Sequence, residues 1–225
     1  MAPNEDEVRH FRRVRAYRAL FLPCPSKTPL DDISALHDYA GEYLGVDSPV
    51  TYIEFGVAAG HSMRKSAATF TNPETRLIGF DSFQGLPEDW SVGGGRIIPK
   101  GAFTTGGAPP RIDDSRVSFV AGWYQNTLPA FFADPGMHLT GKILIRYDAD
   151  LYSSTLFILT YLWSHVPEYY FIMDDFFEDD IIALHDFTMA YPVELEWIAY
   201  HRVPPDIPGK VLGRMKRVDF RLSDG

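Results

Sequence analysis

The sequence predicts an α/β fold with a doubly wound, mostly parallel sheet, and two observations carry this prediction. From residue 50 onward, short apolar runs alternate with turns and helical stretches, which is the pattern of parallel strand–helix–strand units. The last two apolar runs have no helix between them. They predict an antiparallel hairpin that closes one edge of the sheet.

Residues 1–48 predict a helical cap ahead of this sheet. The first helix is expected over residues 7–21, because apolar residues recur near helical spacing and prolines follow at once. Five arginines surround that apolar stripe, and we interpret it as a solvated helix docked on the body or on a dimer partner, rather than as an anion site. A second helix is expected over residues 30–44, with Gly45 as its stop.

Residues 49–225 predict one domain, whose strands follow in order. The expected strands are residues 51–57, 76–80, 116–121, 142–147 and 168–173, and the hairpin strands are residues 193–203 and 210–220. Between residues 91 and 110, glycines and prolines replace any regular period. We interpret this segment as a lid over a ligand, and a surface insertion is the alternative.

The charge of the chain is unevenly distributed. There are 21 basic and 30 acidic residues, a net charge of −9. Such a chain lacks the basic footprint that nucleic acid or anionic membranes attract, so the expected partner is a small molecule. Between residues 147 and 201 there are eleven acidic residues and no Lys or Arg, and the remainder of the chain has a net charge of +2.

The sequence also bears on the compartment of the protein. Cys24 is the single cysteine, so no intramolecular disulfide can form, and no secretory leader is expected at the start of the chain. The most apolar stretch, residues 155–173, is interrupted by His165, Pro167 and Glu168 and predicts no transmembrane helix. We expect a cytoplasmic protein that forms a homo-oligomer.

In a doubly wound sheet, ligands bind at the carboxyl ends of the strands, so the residues there are the first candidates. Glu54, Gly56 and Gly60 follow the first predicted strand, where glycines permit a tight turn close to a ligand. Asp81 ends the second strand, the place where an acid holds a ribose diol in nucleoside-binding sheets. Together they predict a nucleoside-containing cofactor, with a plain strand-to-helix turn as the alternative.

Four carboxylates follow the fourth and fifth predicted strands. Asp148 and Asp150 come after one, and Asp174 and Asp175 come after the other. Ionised carboxylates at neighbouring strand ends repel one another unless a cation compensates them. A ligand set of oxygen atoms favours Mg²⁺ or Mn²⁺ over zinc. In the alternative interpretation, one acid binds the cofactor and the others are solvated or cap helices.

Five segments together resemble a known family. They are YIEFGVAAGHS, LIGFDSFQGLPEDW, VSFVAGWYQNTLP, ILIRYDADLYSST and FIMDDF. In order and spacing they resemble the macrocin and mycinamicin type of macrolide-sugar O-methyltransferases over about residues 51–186. The resemblance implies a class I, Rossmann-like methyltransferase with a seven-stranded sheet, S-adenosylmethionine as cofactor, and Mg²⁺ (or Mn²⁺).

The resemblance also implies roles for individual residues. The implied cofactor contacts are Glu54, Gly56, Gly60, Ser62, Asp81, Ser82, Phe83, Gly122, Trp123 and Asp148. The implied metal ligands are Asp148, Asp174 and Asp175, with Asp150 as an alternative ligand. The family's histidine before the third strand has no counterpart in residues 91–110, so the candidate catalytic groups are Asp148, His138 and His185.

These observations predict metal-assisted transfer of a methyl group from S-adenosylmethionine to a hydroxyl of a small molecule, a sugar or natural-product diol. The metal would lower the pKa of the acceptor hydroxyl and orient it. Two alternatives stay open from the sequence: a metal-independent methyltransferase, and a non-catalytic cofactor-binding subunit that assists a partner through the arginine-rich helix.

Overall fold

The computed structural model describes residues 4–24, 27–32, 34–92, 95–203 and 207–219. Its strands are β1 (Thr28–Leu30), β2 (Val50–Phe55), β3 (Arg76–Asp81), β4 (Trp90–Ser91), β5 (Ile97–Ile98), β6 (Val117–Ala121), β7 (Lys142–Tyr147), β8 (Glu168–Met173), β9 (Val193–Val203) and β10 (Ile207–Arg217). Its helices are α1 (Glu5–Leu20), α2 (Ala35–Leu44), α3 (His61–Thr69), α4 (Tyr124–Ala133), α5 (Tyr152–His165) and α6 (Ile181–Ala190). A π-helical turn, Phe176–Asp180, precedes α6.

One eight-stranded sheet organises the chain, in the order β1-β9-β10-β8-β7-β2-β3-β6. Among the described strands of this sheet, β10 alone runs antiparallel to its neighbours, β8 and β9. The predicted doubly wound, mostly parallel fold with a carboxyl-terminal hairpin is therefore confirmed. The order of strands reverses between β2 and β7, which is where ligands bind in sheets of this kind.

The sheet has one strand more than the seven implied by the resemblance. The extra strand, β1, lies at the edge and pairs in parallel with Ala199 to His201 of β9. The helix predicted over residues 30–44 begins at Ala35 instead, because the chain first extends along β9. Pro29 lies within β1, and an edge strand tolerates a residue that cannot donate a backbone hydrogen bond.

Both faces of the sheet are covered, so every residue of β2 is buried. Ile53 and Phe55 pack toward α4, α5 and α6, whereas Val50 and Tyr52 pack toward α2 and α3. The predicted cap is thus divided between the faces: α1 lies beside α6 on one face, and α2 lies beside α3 on the other.

The arginine-rich helix α1 docks on the body, as one of the two sequence interpretations expected. It begins with a capping box, in which the side chains of Asn4 and Glu7 each accept the other's backbone N–H at 2.9 Å. Arg13 and Ala16 are buried against the body, whereas Phe11 is 67% exposed. Oligomer formation stays a prediction.

The hairpin strands differ slightly from the expected bounds. The strand expected from residue 210 begins at Ile207, and Phe220, at its expected end, lies outside the described residues, as do Pro204 and Pro205 of the turn. A search of the described helices finds none with the length and apolar character needed to cross a bilayer.

Candidate functional site

A cavity of about 680 Å³ opens at the carboxyl ends of the parallel strands. Its wall is formed by Gly56, Ala58, Asp81, Ser82, Gly85, Leu86, Pro87, Glu88, Trp90, Arg96, Ile98, Phe103, Gly122, Trp123, Tyr124, Gln125, Asp148, Ala149, Asp150, Ser153, Ser154 and Asp175. The loops after β2, β3, β6, β7 and β8 all contribute to it. The predicted residues at these strand ends therefore come together beside the reversal in strand order.

The backbone turn after β2 depends on a glycine. Gly56 has a φ of 90°, which favours glycine, and a Cβ there would lie 1.8 Å from the carbonyl oxygen of Asp148. The close approach of these two loops brings the end of β2 against the end of β7. Gly60, with a φ of 75°, precedes α3 and lies outside the cavity wall.

Asp81 organises the loops around the cavity. Its Oδ2 accepts hydrogen bonds from the backbone N–H groups of Val57 and Ala58, both at 2.8 Å, and its Oδ1 accepts one from Phe83 at 2.7 Å. A carboxylate offers about four lone-pair sites, so one acceptor site remains for a ligand. Asp81 lines the cavity, and its contact with a ribose diol stays a prediction.

Glu54 lies beneath the cavity and does not line it. Its side chain is fully buried, and it accepts hydrogen bonds from Tyr52 at 2.8 Å, from Arg146 at 3.0 Å and from the hydroxyl of Ser62. Burial raises the pKa of Glu54, against the opposing effect of Arg146. Buried Glu54 and half-buried Ser62 thus form a hydrogen-bonded pair that is not part of the cavity wall, and their contact with a cofactor stays a prediction.

Three of the four residues predicted to surround the adenosine lie on the cavity wall. Ser82, Gly122 and Trp123 line the cavity. Phe83 does not: it is 1% exposed and packs edge-on against Phe119, with ring centroids 6.0 Å apart. Its backbone has a positive φ of 57°.

Neither candidate histidine is among the described residues of the cavity wall, and a role for His138 or His185 as the base stays a prediction. His138 precedes β7 and accepts a hydrogen bond from Arg76 through its backbone oxygen, so it lies at the amino ends of the strands, opposite the site. His185 lies on α6 with Nδ1 3.3 Å from Asp186 and is not part of the cavity wall. Position along the sequence could not separate the two edges of the sheet.

Asp148, Asp174 and Asp175 come together as predicted. Each offers one carboxylate oxygen, and these three atoms lie within 4.8 Å of one another. Such a set of hard oxygen donors fits a divalent cation. Asp148 and Asp175 line the cavity together with Asp150, whereas Asp174 lies behind the wall.

Two cations of the chain contact this cluster, and the sequence interpretation missed both. Arg146 places Nη1 2.8 Å from Asp148 Oδ2 and Nη2 2.9 Å from Asp174 Oδ1, while Nη1 also contacts Glu54. Lys210 of β10 contacts the other oxygen of Asp174. A charged residue inside the otherwise apolar run KILIRY was the available signal for Arg146. Lys210 had no local signal.

The pKa values follow the placement of these cations. Burial raises the pKa of Asp148 to about 7, against the opposing effect of Arg146. Burial and the charges of Asp148 and Asp175 raise the pKa of Asp150 to about 8, and Asp150 is hydrogen-bonded to Asp175. For Asp174, burial acts upward, but Arg146 and Lys210 outweigh it and lower the pKa. The repulsion is therefore concentrated on the side of the cluster that faces the cavity.

The described part of the segment predicted as a lid contributes to one wall of the cavity. Arg96, Ile98 and Phe103 line it, as does Trp90 just before, and β4 pairs in antiparallel with β5. Backbone hydrogen bonds between Leu86 and residues 101 and 102 hold the segment against the loop after β3, at 2.9 and 3.0 Å. Opening and closing of this wall stay a prediction.

The family model of macrocin O-methyltransferases (TylF) matches residues 110–198. This match covers less than half of the chain, but it contains β6, β7, β8 and all four strand-end carboxylates. The match confirms the resemblance predicted from the sequence over this segment. It supports the predicted enzyme class, an O-methyltransferase that uses S-adenosylmethionine. No curated protein is significantly similar to the chain in sequence.

Solved structures share the fold. An O-methyltransferase from Bacillus cereus in complex with S-adenosylhomocysteine is 13% identical, with a TM-score of 0.52 over 96% of this chain and 93% of that chain. TomG from Streptomyces achromogenes, an O-methyltransferase involved in tomaymycin synthesis and solved with S-adenosylmethionine, is 13% identical, with a TM-score of 0.51 over 97% and 92%. At this identity the likeness concerns the fold, and it confirms the α/β class.

Proposed function

We propose that this chain transfers a methyl group from S-adenosylmethionine to a hydroxyl of a small molecule, with a divalent metal ion held by Asp148, Asp174 and Asp175. The observation that supports the proposal is that a single cavity joins the glycine turn after β2, the carboxylate of Asp81 and the strand-end carboxylates. The first two suit a nucleoside cofactor, and the third suits a cation beside it.

The charge of the cluster leaves room for a divalent cation. Arg146 and Lys210 contribute two positive charges against five carboxyl groups, which are Glu54, Asp148, Asp150, Asp174 and Asp175. A bound divalent cation would take the place of the protons that the raised pKa values of Asp148 and Asp150 leave on these groups. A divalent ion bound there would lower the pKa of an acceptor hydroxyl and orient it. The raised pKa values of Asp148 and Asp150 have the same origin, an excess of negative charge in a buried place.

The chain's own groups then position the reactants and take the proton. The bond from the methyl carbon to the sulfonium sulfur breaks, a bond to the acceptor oxygen forms, and the hydroxyl proton must leave. With both histidines outside the cavity, the proton acceptor is one of the carboxylates on its wall. We assign this role to Asp148, which lies at the end of β7 and faces the cavity.

The opposite wall suits a small organic acceptor. Trp90, Ile98 and Phe103 provide apolar surface, and Arg96 provides a positive charge. We propose a sugar or natural-product diol, because two neighbouring hydroxyls can face one carboxylate-bound ion together. Closure of the 91–110 segment would exclude water from the reacting atoms.

A metal-independent reaction is the second candidate, and Arg146 and Lys210 favour it. Each already neutralises part of the cluster, so the carboxylates have counter-ions without any bound ion. In that case the acids serve the cofactor and the acceptor alone. Turnover that survives EDTA would support this candidate over the metal-assisted one.

Binding of S-adenosylhomocysteine tests the cofactor site. A ligand that binds only the folded chain raises the melting temperature, so we expect an increase for the unchanged protein. Asp81→Asn should lose most of that increase, since its carboxylate holds both loops and the ligand. The exposed Asp113→Asn is the matched control and should keep it. No increase for the unchanged protein would contradict the proposal.

Methyl transfer is then measured as S-adenosylhomocysteine formed from S-adenosylmethionine with a panel of vicinal diols. The reaction is run with Mg²⁺ and after treatment with EDTA. Product that appears only with Mg²⁺ supports the metal-assisted reaction, and equal product in both supports the second candidate. Cofactor binding without product from any diol would point to another acceptor class or to a non-catalytic subunit.

A further inference from the structure

We infer that Lys210 is a positioning residue that competes with the divalent ion for Asp174 and so sets the metal affinity of the site. This inference rests on the proposed function, because it concerns the same carboxylates. It adds a role for a residue of the carboxyl-terminal hairpin, which lies outside the segment matched by the family model.

The antiparallel register of β10 brings Lys210 to the cluster. Val211 of β10 pairs with Met173, the last residue of β8, so the preceding lysine lies beside Asp174. The pairing of β10 with β9 is irregular between Pro208 and Lys210, and such irregularities re-aim side chains at the ends of strands. The Nζ of Lys210 thereby contacts Oδ2 of Asp174.

Both oxygens of Asp174 are engaged by cations of the chain. Arg146 lies 2.9 Å from Oδ1, and Lys210 contacts Oδ2. A divalent ion that uses Asp174 as a ligand must therefore share or replace one of these contacts. Asp148 and Asp175, in contrast, face the cavity, and Lys210 does not pair with either.

Lys210 is the contact that an ion can replace. The guanidinium of Arg146 is 6% exposed and is held by three carboxylates on three different loops or strands. Lys210 is 16% exposed, makes one ion pair with the described residues, and carries a compact charge on a flexible stem. Its charge also repels an ion at the neighbouring carboxylates, whichever oxygen the ion uses.

The test measures Mn²⁺ binding to the full chain by the electron paramagnetic resonance signal of the free ion. Lys210→Met removes the charge at similar length, and we expect its Mn²⁺ dissociation constant to fall at least tenfold below that of the unchanged protein. Lys216→Met is the matched control, because Lys216 is an exposed lysine of the same strand. It should bind Mn²⁺ as the unchanged protein does.

A second pair of variants separates the loss of the lysine charge from changes in packing or folding. Lys210→Gln keeps a hydrogen-bond donor to Asp174 without the charge, and it should also tighten Mn²⁺ binding. Lys210→Arg keeps the charge and should stay within about threefold of the unchanged protein, since the competing cation remains. The melting temperature without metal identifies any variant that does not fold.

Each result decides between outcomes. Tighter binding by the two neutral variants supports competition by Lys210, whereas unchanged or weaker binding by folded neutral variants overturns it and leaves the metal site standing. If none of the proteins binds Mn²⁺, the metal site is overturned together with the role of Lys210. The melting-temperature increase with S-adenosylhomocysteine, measured on the same samples, reports the cofactor site independently of both.

Discussion

Two groups of acidic residues from the same stretch of sequence are treated differently by the fold. The strand-end group consists of Asp148, Asp150, Asp174 and Asp175, and the helix-facing group consists of Glu178, Asp179 and Asp186. Each member of the helix-facing group meets an arginine of α1: Arg13 contacts Glu178, Arg9 lies 2.7 Å from Asp179, and Arg12 lies 2.6 Å from Asp186. Among the described ion pairs, the strand-end group has two basic partners, Arg146 and Lys210.

This difference shows which acids hold the structure together and which are left for a ligand. Each helix-facing acid has an arginine of α1 beside it, and these pairs fasten α1 beside the π-helical turn, a few residues beyond Asp175. Burial still raises the pKa of Glu178 to about 7, against the opposing effect of Arg13. In the strand-end group, Asp150 and Asp175 have no arginine or lysine among the described ion pairs, and both face the cavity. The candidate site is therefore distinguished from the rest of the acidic segment by carboxylates that face the cavity without a paired arginine or lysine.

Removal of Arg13 should have the largest effect on stability. Its side chain is 7% exposed, and Arg13→Met leaves Glu178 half-buried without its partner. Breaking a fully buried ion pair costs about 3 to 5 kcal/mol in the free energy of unfolding. Glu178 is 30% exposed and can take up a proton, so we expect a smaller loss of about 2 kcal/mol, measured in urea. Arg12→Met is the control, because its exposed pair contributes about 1 kcal/mol or less. Equal losses from the two variants would contradict the distinction.

Asp148→Asn should lower activity without lowering stability, in contrast to Arg13→Met. We expect S-adenosylhomocysteine formation to fall by about 100-fold or more, roughly 2.7 kcal/mol in the activation barrier, because the variant removes a proton acceptor and an ion ligand. The free energy of unfolding should not fall, since one of several repelling charges is removed. Asp186→Asn is the control and should keep its turnover. Full activity of Asp148→Asn would remove this residue from the reaction.

The smallest expected effect is the contribution of Asp150 to the pH dependence of the free energy of unfolding. The pKa of Asp150 is raised to about 8 in the fold, from about 3.9 in an unfolded chain, so the fold holds a proton that the unfolded chain releases. The stability from this group is complete below about pH 4 and is lost as the pH rises toward 8. Unfolding in urea with EDTA should therefore show a decline between about pH 5 and pH 8.

In Asp150→Asn, the fall in the free energy of unfolding between about pH 5 and pH 8 should be smaller by at least about 1 kcal/mol. The exposed Asp113→Asn should leave this fall unchanged. Mg²⁺ should restore stability to the unchanged protein at the upper end of the range, because the ion replaces the proton. An equal slope in the Asp150 variant would show that this carboxyl is not held protonated by the fold.

Much of the fold and part of the site could be predicted from local pattern. The parallel strands β2, β3, β7 and β8 were found because both faces are buried and each is a short apolar run followed by a turn. Asp81, Asp148 and Asp175 were found because strand ends in such a sheet converge. The edge strand β1 was missed, since three residues with a proline carry no period and depend on pairing with β9.

What the sequence by itself determined is the α/β class, the position of the site at the strand ends and the excess of acidic residues there, because each follows from local periodicity and from the order of the elements. The tertiary structure alone decided which acids are compensated. Arg146 reaches Glu54 and Asp174, Lys210 reaches Asp174, and the arginines of α1 reach residues 178–186, all across distant positions in the chain, so strand register and helix docking assign these pairs. The same geometry places His138 and His185 outside the cavity wall, since a histidine's place relative to the two edges of a sheet is a property of the folded chain.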